Sequence, residues 1–233
     1  MGERAERDMI LLLADVSGYT RYMVANRTAA LHSQGIITDL LEAVIEAVEI
    51  PLEVSKLEGD AVFMFAERQE GMAWEGLCQG IGGRLKVFVD AFDRKLAELV
   101  AALACPCGAC RNLDKLRLKV VAHAGRAVRH RVGRFEELTG VDVILVHRML
   151  KNRVPSDSYL LLTEPAFAAL KPAQPDLFKE ASLEDKDLGQ VPLWVRLLQP
   201  PQMPAQPTGL GAKVSTLLRE ARWRFRAWRS PRD

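Results

Sequence analysis

The chain has 233 residues, enough for one substantial domain with a real core. Its apolar share of 48% and charged share of 27% are those of an ordinary soluble globular protein. A formal net charge of only +2 predicts no nucleic-acid partner for the chain as a whole.

The opening stretch, MGERAERDMILLLAD, is not a signal peptide: its apolar run is short, follows mixed charge and ends in an aspartate. No window reaches the roughly 18 apolar residues of a membrane span, so a cytoplasmic location is expected. "MILLLAD" (9–15) reads as a central strand ending in a carboxylate. Across 28–50, Ile37, Leu40, Leu41, Val44, Ile45 and Val48 recur at spacings of three and four, predicting an amphipathic helix that Pro51 stops. "LEVSKLEGDAVFMFAE" (52–67) predicts two strands around a turn at Glu58–Gly59, and a long helix follows over roughly 70–103. "LDKLRLKVVAHAG" (113–125) predicts a strand, and "RAVRHRVGRFEEL" a more polar strand or hairpin arm. Residues 140–152 read as a buried helix, 159–163 as a strand, "EPAFAAL" as a short helix and 191–198 as a closing strand. Hairpins mixed with crossover helices indicate an α+β sandwich with a mixed sheet.

Two carboxylates stand out. Asp15 ends the first strand, and Asp60 opens the return strand of a hairpin. If those strands are neighbours, the carboxylates meet at one sheet edge, and paired carboxylates repel unless a cation lies between them. Mg²⁺ accepts such ligands and commonly arrives with substrate phosphates. Asp after Gly is also a common turn residue, so on local grounds both readings of Asp60 stay open. Asp15, following a run of apolar residues, is harder to explain as structure alone.

"ADVSGYT" (14–20), "KLEGD" (56–60), "HAGRAV" (123–128) and "GVDVILVHR" (140–148) occur in an order and spacing that resembles the class III adenylate/guanylate cyclase homology domain. More narrowly, the chain is similar to a bacterial family of uncharacterised cyclase-like proteins with a Cys-rich insert. The resemblance covers roughly 8–198. It implies a ferredoxin-like α/β sandwich with a mixed, mostly antiparallel sheet, and a head-to-tail homodimer with shared sites. It further implies two-metal formation of a 3′,5′-cyclic nucleotide from a purine nucleoside triphosphate, ATP preferred. Residue by residue, Asp15 and Asp60 match the aspartates that bind Mg²⁺ or Mn²⁺, and Lys56 the lysine that reads the purine. Glu137 falls where an acceptor for the base is expected. Arg148 matches the arginine that steadies charge on the α-phosphate, a role its fork of donors suits. Two departures stand beside these matches. Ile144 occupies the position of a ribose-orienting Asn, and "DLGQVPLWV" (187–195) lacks the late phosphate-binding lysine, with Lys186 slightly too early. Positioning groups contribute several kcal/mol to a transition state, so a second reading remains: a nucleotide-sensing or protein-interaction module without turnover.

His123, in "VVAHAG", reads either as a hydrogen-bonded structural histidine or as a site residue. His147 and Arg148, one residue apart on a helix, cannot share a face. His32 and His130 carry no signal alone. "CPCGAC" places Cys105, Cys107 and Cys110 within six residues, a spacing suited to structural Zn²⁺. A fourth ligand would have to come from His123, His130 or a partner subunit.

The domain is expected to span 1–199 with the Cys-rich insert at 104–111, followed by a Pro-rich linker over 200–212. A basic amphipathic helix over 213–233 is expected to end the chain. Residues 209–233 hold seven basic side chains against Glu220 and Asp233, a net of +5, leaving about −3 for the rest. Val214, Leu217, Leu218, Ala221, Phe225 and Trp228 form its apolar stripe. Over 213–229 such a helix could touch an anionic membrane surface, but packing against its own domain or a partner is favoured. Nothing in it marks a nucleic-acid motif.

Overall fold

The computed structural model describes residues 6–49, 51–103, 105, 107–205, 207 and 210–229. Its organising element is β1 (Glu6–Ser17), in which Met9 through Ala14 are consecutively buried. Successive strand side chains point to opposite faces, so this run feeds two cores. Ile10, Leu12, Ala14 and Val16 enter one, with α2 (Ala30–Glu46) and α3 (Trp74–Ala102) packed on that face. Met9, Leu11 and Leu13 enter the other, which α5 (Val141–Met149) covers.

Around β1 the sheet runs β2 (Glu53–Glu58), β3 (Ala61–Glu67), β1, β4 (Arg117–Val132), β6 (Tyr159–Thr163), β8 (Gly189–Leu197) and β7 (Lys179–Asp185). β5 (Phe135–Thr139) pairs with the far half of β4. Only β4 and β6 run parallel; every other pairing is antiparallel. The mixed, mostly antiparallel α+β sheet expected from the sequence is therefore present. Short helices α1 (Tyr19–Ala25), α4 (Gly108–Arg111) and α6 (Glu164–Leu170) fill the connections.

Four differences from the sequence reading have physical causes. β4 continues unbroken through "RAVRHRV", because β5 folds back on it through a turn at Gly133 (φ 61°). β7, which the sequence did not announce, is an edge strand with only Leu183 buried, so its apolar signal is weak. α5 is not a buried helix: only Val146 and Met149 are buried, while Val141 and Ile144 are 63% and 53% exposed. α7 (Leu210–Arg229) lies across α2 and α3 but presents an unexpected face. Thr216 and Trp223 are buried, while Val214, Leu217, Leu218 and Phe225 point outward. The side chains of Arg226, Trp228 and Arg229 lie outside the described residues. Among the described residues, no helix is long and apolar enough to cross a membrane.

The "HAG" motif explains how α5 is seated. His123 is buried, with Nδ1 2.8 Å from Thr163 Oγ1 and Nε2 3.2 Å from Asp142 Oδ1. Asp142, in the first turn of α5, also accepts from the backbone N–H of Arg126 at 2.6 Å. His123 is thus a structural histidine. Gly125 leaves the space in which the carboxylate and the imidazole meet; a Cβ there would overlap both. Gly125→Ala should displace the start of α5 and cost about 2 kcal/mol, the scale of overpacking a filled site, measured as a lower urea midpoint at an unchanged m-value.

Candidate functional site

Register dictates the first half of the site. Asp15 and Lys119 are direct partners across the β1–β4 ladder, so both project from the same face, the one that carries Leu13 and Val121. Lys119 Nζ lies 2.9 Å from Asp15 Oδ2, with the two side chains only 18% and 15% exposed. On the other side of β1, Asp15 pairs with Ala61, the residue after Asp60, and the Asp60 carbonyl accepts from the Val16 N–H at 3.2 Å. The two sequence-selected carboxylates therefore converge at one end of the sheet. Asp60 bears the consequence: burial, then the neighbouring Asp15 charge, pushes its carboxyl up to about 6, with Lys119 opposing. Burial alone would lower the Lys119 ammonium, but the hydrogen bond and charge of Asp15 outweigh it and the net shift is upward.

The second half lies beside it. Lys56 on β2 donates to Glu137 Oε2 on β5 at 2.8 Å and stands 3.6 Å from Glu58. The Glu137 hydrogen bond is the main reason Lys56 is raised and Glu137 lowered from their ordinary values. Glu58 Oε2 is 2.8 Å from His147 Nε2, whose Nδ1 is 2.7 Å from the Val143 carbonyl. The Val143 carbonyl can only accept, so Nδ1 is the donor of that contact. Arg148 turns the other way, toward Asp185 at 3.7 Å and Asp187 at 3.8 Å in the β7–β8 turn. The expectation that His147 and Arg148 cannot share a face holds. Ile144 faces solvent between these groups.

Lys119 and His147 were not selected from the sequence. A lone lysine inside "LRLKVVA" was a usable signal, because a lysine in an apolar strand needs a carboxylate opposite. His147 had none, since its partner lies 89 residues away. The three insert cysteines sit outside this site. They gather with His32 from α2, their ligand atoms all within 4.8 Å of one another. His123 and His130, the fourth ligands considered from the sequence, are elsewhere on β4, the latter opposite Glu137.

This fold, a mixed and mostly antiparallel sheet with helices packed on it, is that of nucleotide cyclase domains. The guanylyl cyclase Cya2 is similar in structure with a TM-score of 0.58 at 12% identity, covering 87% of this chain and 98% of that one. The guanylate cyclase domain of RhGC from Catenaria anguillulae, in complex with GTP, gives 0.51 at 12% identity, covering 84% and 100%. In sequence, the uncharacterized protein Rv2561/Rv2562 of Mycobacterium tuberculosis is 38% identical over 136 residues, 55% of this chain. The match spans only 57% of that relative's length. The chain belongs to the family described as protein of unknown function (DUF2652), whose model matches residues 37–159.

The Asp60 environment sets a pH dependence. Its folded value lies above that of an unfolded aspartate, so the folded state holds the proton longer and stability falls as pH rises between about 4 and 6. A difference of that size in a fully buried group would be roughly 3 kcal/mol; partial exposure reduces it to about 1 kcal/mol. Asp60→Asn should abolish that fall and leave the variant more stable than wild type by about 1 kcal/mol at pH 7.5, read from urea unfolding across the pH range in metal-free buffer.

Proposed function

We propose that the chain binds a purine nucleoside triphosphate, ATP in preference, and converts it to a 3′,5′-cyclic nucleotide at sites shared in a homodimer. The observation that carries this is the convergence of Asp15 and Asp60, with Asp60 short of positive charge. Two carboxylates, which are hard oxygen donors, fit Mg²⁺ or Mn²⁺. Bound there, the metal would supply Lewis-acid stabilisation of phosphate oxygens and of the attacking ribose oxygen. Lys56 and Glu137 would exchange part of their mutual ion pair for the edge of the base. Arg148 would leave Asp185 and Asp187 to meet the α-phosphate, where a guanidinium fork is worth most. The GTP complex of the Catenaria domain supports nucleotide binding by this fold.

A second reading is favoured by one specific observation. Ile144, at the position the resemblance gives to a ribose-orienting Asn, is exposed and aliphatic, and such a side chain offers no hydrogen bond. On that reading the same residues bind the metal-nucleotide complex without turnover.

Purified protein incubated with Mn²⁺ and each nucleoside triphosphate, followed by mass spectrometry for cyclic product and pyrophosphate, decides between them. Product that falls at least 100-fold in Asp60→Ala, a change that leaves Lys119 and Asp15 in place, is the result expected for the enzyme. No product, with calorimetric binding that needs Asp60, assigns the second reading. Neither product nor binding overturns both.

A further inference from the structure

The insert and the C-terminal helix share a feature that the nucleotide site does not use. Cys110 is fully buried, Cys105 and Cys107 half-buried, and His32 is only 11% exposed at its side chain. His32 Nε2 is 3.5 Å from Cys110 Sγ, and Nδ1 is 3.8 Å from Cys107 Sγ. Ligand atoms about 2.0–2.3 Å from one tetrahedral centre lie about 3.5–3.8 Å apart. The observed spacing, at most 4.8 Å, needs only a small contraction to meet that geometry.

The scaffold around the cluster is fixed by groups other than the cysteines. Asn26, at the end of α1, is buried and donates to the Tyr22 carbonyl at 2.7 Å. Its Oδ1 lies against Gly108, where a Cβ would overlap it, so the glycine of "CPCGAC" is the docking point of the insert. Asn112 Nδ2 donates back to the Gly108 carbonyl at 2.9 Å. From the other side α7 closes the cluster. Glu220 Oε1 is 3.4 Å from His32 Nδ1, and Trp223 packs its ring 5.1 Å from the imidazole and directly over Gly35 of α2. Arg219 reaches Asp39 at 3.1 Å, and Thr216 donates to the Ala102 carbonyl.

We infer that Cys105, Cys107, Cys110 and His32 form a closed Cys₃His site for a structural Zn²⁺, with Glu220 as the carboxylate partner of the ligating histidine. Three sulfur donors and one imidazole are the donor set and count of structural zinc. His32 would bind through Nε2 and donate Nδ1–H to Glu220, the usual arrangement that fixes the tautomer of a zinc histidine. The metal then joins three segments distant in sequence: the start of α2, the insert before β4, and, through Glu220, α7. This proposal does not depend on cyclase activity.

The test uses the full-length chain, reduced, stripped with a chelator and titrated with Zn²⁺ or Co²⁺. One zinc per chain and, with Co²⁺, the sulfur-to-metal charge-transfer and visible d–d bands of a tetrahedral thiolate site are expected. Cys110→Ser and His32→Ala should lose them, whereas His32→Cys should keep a metal with bands shifted toward an all-sulfur site, which guards against simple misfolding. Glu220→Gln should retain the bands and weaken Zn²⁺ affinity roughly 10-fold. Asp60→Ala should leave all of this unchanged. Absence of thiolate bands in folded wild-type protein, or bands that persist with unaltered affinity in His32→Ala, overturns the assignment.

Discussion

The pairing of Asp15 with Lys119 governs the end of the sheet where the site lies. A carboxylate that follows six buried residues on a central strand must be compensated, because an ionised group taken out of water without a partner costs several kcal/mol. Antiparallel register places Lys119 directly opposite and meets that requirement. It meets it once only. Asp60, brought alongside by the β1–β3 ladder, is pushed up to about 6 first by burial and then by the Asp15 charge, with Lys119 only partly opposing. With Asp15 and Asp60 facing one lysine, the local charge balance is one cation short near neutral pH, the feature on which the proposed metal site rests.

The remaining polar groups of the site are held by one another in the isolated chain. Lys56 with Glu137, Glu58 with His147, and Arg148 with Asp185 and Asp187 are latches between β2, β5, α5 and the β7–β8 turn. Their side chains are mostly between a quarter and two-fifths exposed, and ion pairs so placed are weak because solvent screens them. On the proposed function, a triphosphate, which offers several charge-assisted bonds at once, would outweigh such latches. They would then fix rotamers before binding rather than block it. The aliphatic Ile144 is different in kind, since no rearrangement of α5 turns it into a hydrogen-bonding group.

Much of this was legible in the sequence where the signal was local. The run of apolar residues in β1 with its terminal Asp15, the body of α2 around Ile37–Val44, and the β2–β3 hairpin at Gly59 each followed from periodicity or turn chemistry, although α2 ends at Glu46, short of the expected stop at Pro51. What escaped depends on long-range contact. β7 alternates around a single buried Leu183, too little apolar signal to distinguish an edge strand from a loop. The split of β4 into two was an error of composition, since its outer half is polar but is carried by β5. His32 precedes its nearest cysteine neighbours by 75 and 78 residues, so no spacing motif could include it. α7 misled by its very regularity. Its apolar stripe suggests the buried face, yet the space against α2 is filled by Trp223 over a glycine, by Thr216 and by ion pairs at Arg219 and Glu220.

The two candidate metal centres are linked by chain geometry. β1 leaves Asp15, ends at Ser17 and leads through α1 to His32, while the insert ends a few residues before Arg117, the partner of Ser17. Gly18, in a left-handed turn at φ 86°, sits under the Lys115 carbonyl at this same corner. Both chains that exit the Asp15–Lys119 end of the sheet thus run directly into the cysteine cluster. An acidic site with uncompensated charge tends to splay the strands that carry it. A cross-link bound across their continuations resists that motion by lowering the entropy of the unfolded chain and by fixing where the strands emerge. The cost of burying Asp60 beside Asp15 is of order 1 kcal/mol, whereas a structural zinc site contributes about 10 kcal/mol of binding free energy to folding. A metal bound at Cys105, Cys107, Cys110 and His32 would therefore brace the end of the sheet at which Asp15 and Asp60 converge.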